Sequence, residues 1–314
     1  MTRTLPGISD RRSREPAGRW PENGNAGRRA MPVIEGIEHR FVDVAGLRTH
    51  VALAGQGEPL VLLHGWPQHW WQWRHVIGPL ATRYRVICPD LRGLGWSEAP
   101  IDGYRPGVMA GDVIGLLDRL GVGRFQAIGH DWGGLVGYLL ALSFPDRLQR
   151  YIAVNTASPF LGPTPDVLAG ATRLWHIAAN AAPVVGSHVA AHATPDWALR
   201  HWIHRSDTMT EEDRRIFLAQ FEEPARVRAT VAYYRNLVTH EIPLLLAGRF
   251  RWQRLRVPTL VLAGDRDPLF PITAMTEFGD YATDLQVCVL ENVGHFPATE
   301  DPGRVVEQAM RFLH

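Results

Sequence analysis

Cysteine is scarce, neither sign of charge prevails and no long apolar run occurs, and each shortage closes a class of function. Only Cys88 and Cys288 occur in 314 residues. Each sits in an apolar run, Arg-Val-Ile-Cys-Pro or Gln-Val-Cys-Val-Leu, which predicts two reduced core thiols and a cytoplasmic location rather than a disulfide scaffold. Lysine and arginine number 33 against 32 acidic residues, a formal charge of +1. That balance argues against nucleic acid and against a polybasic membrane contact. No run approaches the roughly 18 apolar residues of a membrane span, and the N-terminus lacks the apolar stretch of a secretory signal. The fourteen histidines show no ligand spacing that predicts a metal, and the pairs His188/His192 and His201/His204 read as solvated faces. What remains is ordinary globular material, 46% hydrophobic and 21% charged, long enough to bury an ample core without staples. The expected partner is a small molecule, with no cofactor.

Residues 1–30 carry seven arginines against three acids and almost no apolar pattern, so they are expected to be disordered. From Met31 onward, short apolar runs alternate with amphipathic stretches, the pattern of a mostly parallel sheet covered by helices. Six strands stand out: Pro59–Leu63, Tyr84–Cys88, Phe125–Ile128, Tyr151–Val154, Thr259–Ala263 and Leu285–Leu290. Met109, Val113, Leu116, Leu117 and Leu120 recur at helical spacing, with Gly121 placed to end the helix. Asp301 and Pro302 read as cap and first turn of a last helix with the stripe Val305, Val306, Ala309 and Leu313. The strand rhythm stops after Asn155 and resumes near Val257. Residues 31–155 and 257–314 are therefore the expected core, and 156–256 an inserted helical cap. Within the insertion, Thr210 and Asp213 resemble a capping box and Pro224 suits a first turn.

Four motifs carry chemistry. Gly129-His130-Asp131-Trp132-Gly133-Gly134 ends a strand in a sharp turn into a helix, where small neighbours let one exposed side chain, Asp131, stand at the helix N-terminus. His64-Gly65-Trp66-Pro67 follows an earlier strand, where a second amide is needed for an oxyanion hole, so the N–H groups of Trp66 and Trp132 are the candidate donors. Gly264-Asp265-Arg266-Asp267 and Gly294-His295-Phe296 set a carboxylate and an imidazole just beyond two late strands. Asp131, Asp267 and His295 thus fall in the order nucleophile, acid, base.

On these motifs the sequence resembles the α/β-hydrolase family, and within it the epoxide hydrolases with an aspartate nucleophile, over roughly residues 33–314. The resemblance implies a mostly parallel sheet with helices on both faces and a helical cap inserted after the sixth strand. It implies that Asp267 is the acid, with Asp265 a surface charge, and that His295 is the base. It further implies that a cap tyrosine assists ring opening. Tyr233-Tyr234-Arg235-Asn236 looks like that cap motif with Tyr234 at the matching position, and Val227, Val231, Tyr234 and Val238 would share one helical face. No tyrosine stands at the earlier cap position, where His176 is the nearest polar residue and the candidate second donor. Trp66, Trp132 and Tyr233 are expected to line the pocket.

The aspartate narrows the chemistry physically. A serine that attacked saturated carbon would leave an inert ether, whereas a carboxylate leaves an ester that water can cleave. The expected substrate is a small apolar epoxide, with water as second reactant and a homodimer left open. The rivals are a haloalkane or haloacid dehalogenase using the same nucleophile, and a non-catalytic ligand-binding relative. Position 66 is tryptophan rather than asparagine, and no arginine flanks Asp131, which argues against both dehalogenases.

Overall fold

The computed structural model describes residues 30–160 and 173–314; the disorder expected for residues 1–30 falls, up to residue 29, outside that range. Residues 32–314 form one compact unit. Its centre is an eight-stranded sheet: β1 (Glu38–Val44), β2 (Leu47–Ala54), β3 (Glu58–Leu63), β4 (Tyr84–Pro89), β5 (Phe125–His130), β6 (Leu148–Val154), β7 (Thr259–Gly264) and β8 (Leu285–Leu290). Their order is β1-β2-β4-β3-β5-β6-β7-β8. β1 and β2 run antiparallel to their neighbours and all other pairs are parallel. The six expected strands are all present, and the structure adds the opening hairpin. β1 and the first half of β2 mix charged, polar and apolar residues (Glu38-His39-Arg40-Phe41 and Leu47-Arg48-Thr49-His50), so only the short run Val51–Ala54 resembles the apolar runs by which the buried parallel strands announce themselves. Its two-residue turn has positive φ at both Ala45 and Gly46, the twist that best suits a tight hairpin.

Chain direction explains where the site must lie. Helix α1 (Arg74–Ala81) carries the chain from β3 outward to β4, and α2 (Pro106–Arg119) carries it back across β3 to β5. Both crossovers being right-handed, the two helices fall on opposite faces, and the carboxyl ends of β3 and β5 diverge into a crevice. α2 ends as its sequence predicts, with Gly121 at φ +70° and the Val122 N–H turned back to the Leu117 carbonyl. After β5 comes α3 (Asp131–Ser143).

Between β6 and β7 the described residues are helical: α4 (Trp175–Ala181), α5 (Gly186–His192), α6 (Thr194–His201), α7 (Glu211–Leu218), α8 (Pro224–Asn236) and α9 (Ile242–Leu246). The Thr210–Asp213 capping box opens α7, and Pro224 lies in the first turn of α8. Buried polar bonds tie these helices to the sheet side. Arg74 pairs with Asp213 at 2.9 Å, Gln220 donates to the Pro67 carbonyl at 2.7 Å and accepts from Gly95 N–H at 2.9 Å, and Arg226 reaches the Ser97 carbonyl at 2.8 Å. The chain closes with α10 (Ile272–Thr276), α11 (Pro297–Glu300) and α12 (Pro302–Phe312), the last capped by Asp301.

Two expectations need correction. Cys288 is free but only half-buried, because β8 is an edge strand with Val287 and Val289 open to solvent. Val238 does not continue the buried face of Val227, Val231 and Tyr234, being 40% exposed. α8 passes into a π-helical turn at Leu237–Glu241, and the wider turn rotates the stripe out of phase. Among the described residues no helix is long and apolar enough to cross a membrane, and no cluster of histidine, cysteine or acidic residues could hold a metal.

Candidate active site

Asp131 takes φ +51°, a conformation costly for a side chain other than glycine, asparagine or aspartate and stable only where the surroundings dictate it. They do so by crowding. A Cβ at Gly129 would lie 2.5 Å from the Gly133 carbonyl, one at Gly133 would lie 2.4 Å from the Leu63 carbonyl, and one at Gly65 would meet Asp131 itself. Thr156 donates from Oγ1 to the Asp131 carbonyl at 2.9 Å, fixing the bend from the end of β6.

The register Leu63↔Gly129 brings the loop after β3 against this turn. Trp66 N–H donates to Asp131 Oδ1 at 2.9 Å, and Trp132 N–H also donates to the carboxylate. Gln72 accepts from Gly65 N–H at 3.3 Å. Fully buried His64 accepts from Leu91 N–H at 2.9 Å through Nε2, so its Nδ1–H donates to the Gly65 carbonyl at 3.0 Å. Burial keeps this imidazole neutral by lowering its pKa.

His295 presents Nε2 to Asp131 Oδ2 at 3.7 Å and Nδ1 to Asp267 Oδ2 at 2.9 Å. Asp267 is itself held, its Oδ1 accepting from Leu269 and Phe270 N–H at 2.8 and 3.3 Å. Asp265 points elsewhere, accepting from Val293 N–H at 3.3 Å. Burial opposes a charge on His295, but Asp267 and Asp131 outweigh it and raise the imidazole pKa to about 10. Burial likewise disfavours an anion at Asp131, yet the His295 imidazole facing it, and to a lesser degree His130, lower its pKa.

The helices after β6 close the other side. Tyr234 is buried and packs edge-on against Trp66 and Trp132, with centroids 5.2 and 5.8 Å apart. Trp132 donates a side-chain hydrogen bond to the Tyr234 oxygen, while burial and the charge on Asp131 push the phenol well above its ordinary pKa. His176 is buried 5.6 Å from Tyr234, centroid to centroid, and its Nδ1 has no hydrogen-bond partner among the described residues. Burial lowers its pKa to about 4 against the pull of Asp131. Tyr233 turns away: its hydroxyl donates to the Arg92 carbonyl at 2.8 Å, and its ring props Trp132 from behind at 4.9 Å.

The structure also assembles residues the sequence did not mark. Trp202 stands between His295, His176 and Trp66, its centroid 5.3, 4.8 and 5.9 Å from theirs. Asn155 bridges the ends of β6 and β7 to the His295 loop, accepting from Gly264 N–H and donating to the Gly294 carbonyl, each at 2.7 Å. Its signal was its place, the residue at which the strand rhythm stops. His130 donates from Nε2 to the His295 carbonyl at 2.7 Å, away from Asp131.

Comparison with known proteins agrees with the architecture. A family model described as α/β hydrolase fold matches residues 58–302. A soluble epoxide hydrolase of Corynebacterium sp. is 30% identical over 88% of this chain and 97% of its own. The structure of the epoxide hydrolase CorEH without ligand superposes with a TM-score of 0.77 at 29% identity, covering 88% of this chain and 98% of that one. Cfl2 from Burkholderia cenocepacia gives 0.78 at 27% identity, over 89% and 96%.

Proposed function

The chain belongs to the α/β-hydrolase fold family, to its epoxide hydrolase-like side, and from that membership we propose that it opens an epoxide to a vicinal diol through a covalent ester on Asp131. It is a hydrolase; the helices between β6 and β7 act as its cap. One observation carries the reading: the strained elbow bears an aspartate with one oxygen held by the Trp66 amide and the other turned toward a histidine.

In the first half-reaction Asp131 Oδ2 attacks an epoxide carbon, the carbon–oxygen bond breaks, and the departing oxygen takes a proton from the cap. Tyr234 suits this task, because its oxygen accepts from Trp132 and its own hydrogen is left to donate. His176, held neutral by burial, supplies a second N–H. In the second half-reaction water attacks the ester carbonyl carbon while His295 Nε2 takes its proton and Asp267 steadies the imidazolium. The bond from that carbon to Oδ2 then breaks, the diol departs with Oδ2 as its second hydroxyl, protonated by the remaining proton of the attacking water, and the proton on His295 replaces the one Tyr234 gave up. The oxyanion develops on Oδ1, which already accepts from the Trp66 amide, with the Trp132 amide beside the same carboxylate. No step calls on a metal or cofactor.

The indole groups bear on the dehalogenase rival. Trp66 Nε1 donates to Thr230 Oγ1 at 3.2 Å, so one of the two indole N–H groups that would greet a leaving halide is engaged. The intact triad gives no support to a non-catalytic relative.

A single turnover with a panel of terminal epoxides in heavy-oxygen water tests the reading. The first diol should carry no label and Asp131 should acquire it. Label passing directly into the first diol refutes the covalent route, and halide release from bromoalkanes with no diol from any epoxide refutes the substrate class.

A further inference from the structure

Glu300 is 1% exposed, and among the described residues no cationic side chain pairs with its carboxylate. Four backbone amides hold it instead. Oε1 accepts from Phe296 N–H at 3.0 Å, and Oε2 accepts from Gly294 N–H at 2.9 Å, so the carboxylate grips the chain on both sides of His295. The same Oε2 accepts from His204 and Arg205 N–H at 2.9 and 3.0 Å, which belong to the cap segment following α6. His295 N–H adds a bond to the Trp202 carbonyl at 2.8 Å. The contact is close enough that a Cβ at Gly294 would lie 2.6 Å from His204 N and 2.7 Å from the Trp202 carbonyl.

We propose that Glu300 is a positioning residue, a clasp that fixes the base loop of the core against the cap segment and so sets the place of His295 relative to the donors on the cap. The geometry gives the reason. Trp202 lies two residues before His204, with its ring against both His295 and His176, so slack at the clasp moves the base and the cap donors relative to each other. Asp131 and its two amides stand on β5, α3 and the loop after β3, and the four amides that Glu300 accepts from belong to none of these. The clasp therefore bears on ester hydrolysis, which needs His295, more than on ester formation, which does not; this assignment to a step rests on the epoxide hydrolase reading, whereas the clasp itself does not.

Glu300→Gln is the discriminating variant. With the amide oxygen placed to keep three donors, the NH2 group faces the Phe296 N–H and that bond is lost. Three measurements follow on the full chain. Hydrogen exchange should show the amides of 203–206 and 293–297 losing protection together, by ~10-fold or more, with the sheet unchanged. The His295 ring titration should shift from that of the parent protein, a change that a remote loss of stability does not produce. With styrene oxide, ester hydrolysis should slow by at least ~10-fold and ester formation by less than ~3-fold. Loosening of one segment without the other, an unmoved His295 titration, or equal loss in both half-reactions overturns the clasp. Should Glu300→Gln not fold, the parent protein decides: under mild urea the amides of His204, Arg205, Gly294 and Phe296 should exchange through one shared opening, and separate openings refute it. If the two segments loosen together while neither protein attacks any epoxide, the clasp stands and the substrate assignment falls.

Discussion

The charge on Asp131 should decide when His295 becomes a base, and Asp131→Asn isolates that effect by removing the charge at nearly constant shape. The two groups lie 3.7 Å apart, so at an effective dielectric of about 20 their attraction is about 4.5 kcal/mol. At about 1.4 kcal/mol per pH unit this is roughly 3 units. Losing a negative neighbour favours the neutral imidazole, so the His295 midpoint should fall from about 10 to roughly 7. Alkylation of Asp131 removes the same charge. On the proposed covalent route the imidazole is thus expected to be a cation before the ester forms and a base after it. Ring titration by NMR on the parent and Asp131→Asn proteins reads the shift directly. Rapid-quench kinetics read its consequence: ester formation should be flat between about pH 6 and 9, and ester hydrolysis should rise with pH to a plateau near or above about 7. A midpoint in Asp131→Asn within half a unit of the parent, or a hydrolysis rate indifferent to pH, would refute the reasoning.

Linkage gives the same groups a voice in stability. The folded pKa of His295 lies above its ordinary 6.5, so its stabilising contribution is whole below about pH 6.5 and is lost as pH rises through about 10. Urea titrations should show that alkaline loss in the parent and show it completed at lower pH in Asp131→Asn. Tyr234→Phe should slow ester formation by ~100-fold, while His295→Gln should form the ester at near-normal rate and accumulate it, as intact-mass measurement would reveal. Gly133→Ala should cost about 3 kcal/mol in urea unfolding, because its Cβ would sit 2.4 Å from a backbone carbonyl; a neutral substitution would mean the elbow is not crowded. Thr210→Ala should cost about 1 kcal/mol through loss of the α7 cap, with diol formation unaffected.

How much of this was readable along the chain depends on the range of the interaction. The buried parallel strands, the Gly121 stop, the α7 and α12 caps and the elbow around Asp131 are local. Each follows from the apolar pattern or backbone freedom of a few consecutive residues, and each is present. Other features were not legible because their causes lie far off in sequence. The half-exposed Cys288 depends on the fact that among the described residues no ninth strand flanks β8, and the exposure of Val238 depends on a π-helical turn. Tyr233 and Tyr234 are adjacent in the chain, yet one hydroxyl is spent on Arg92 and the other faces the carboxylate region. Trp202 and Glu300 carry no motif, and their partners stand across the cap boundary.

The sequence by itself determined that an aspartate would stand in a sharp turn between a buried strand and a helix, because the glycines on either side are the residues that let strand and helix backbones approach so closely there. Only the tertiary structure decided what surrounds that carboxylate: the Trp66 amide from one strand end, His295 and Asp267 from two others, and Tyr234, His176 and Trp202 from the helices above. Electrostatics and hydrogen bonds act over a few ångströms in space, whatever the separation along the chain, so the chemistry of Asp131 is settled by the fold that brings residues 66, 176, 234, 267 and 295 to it.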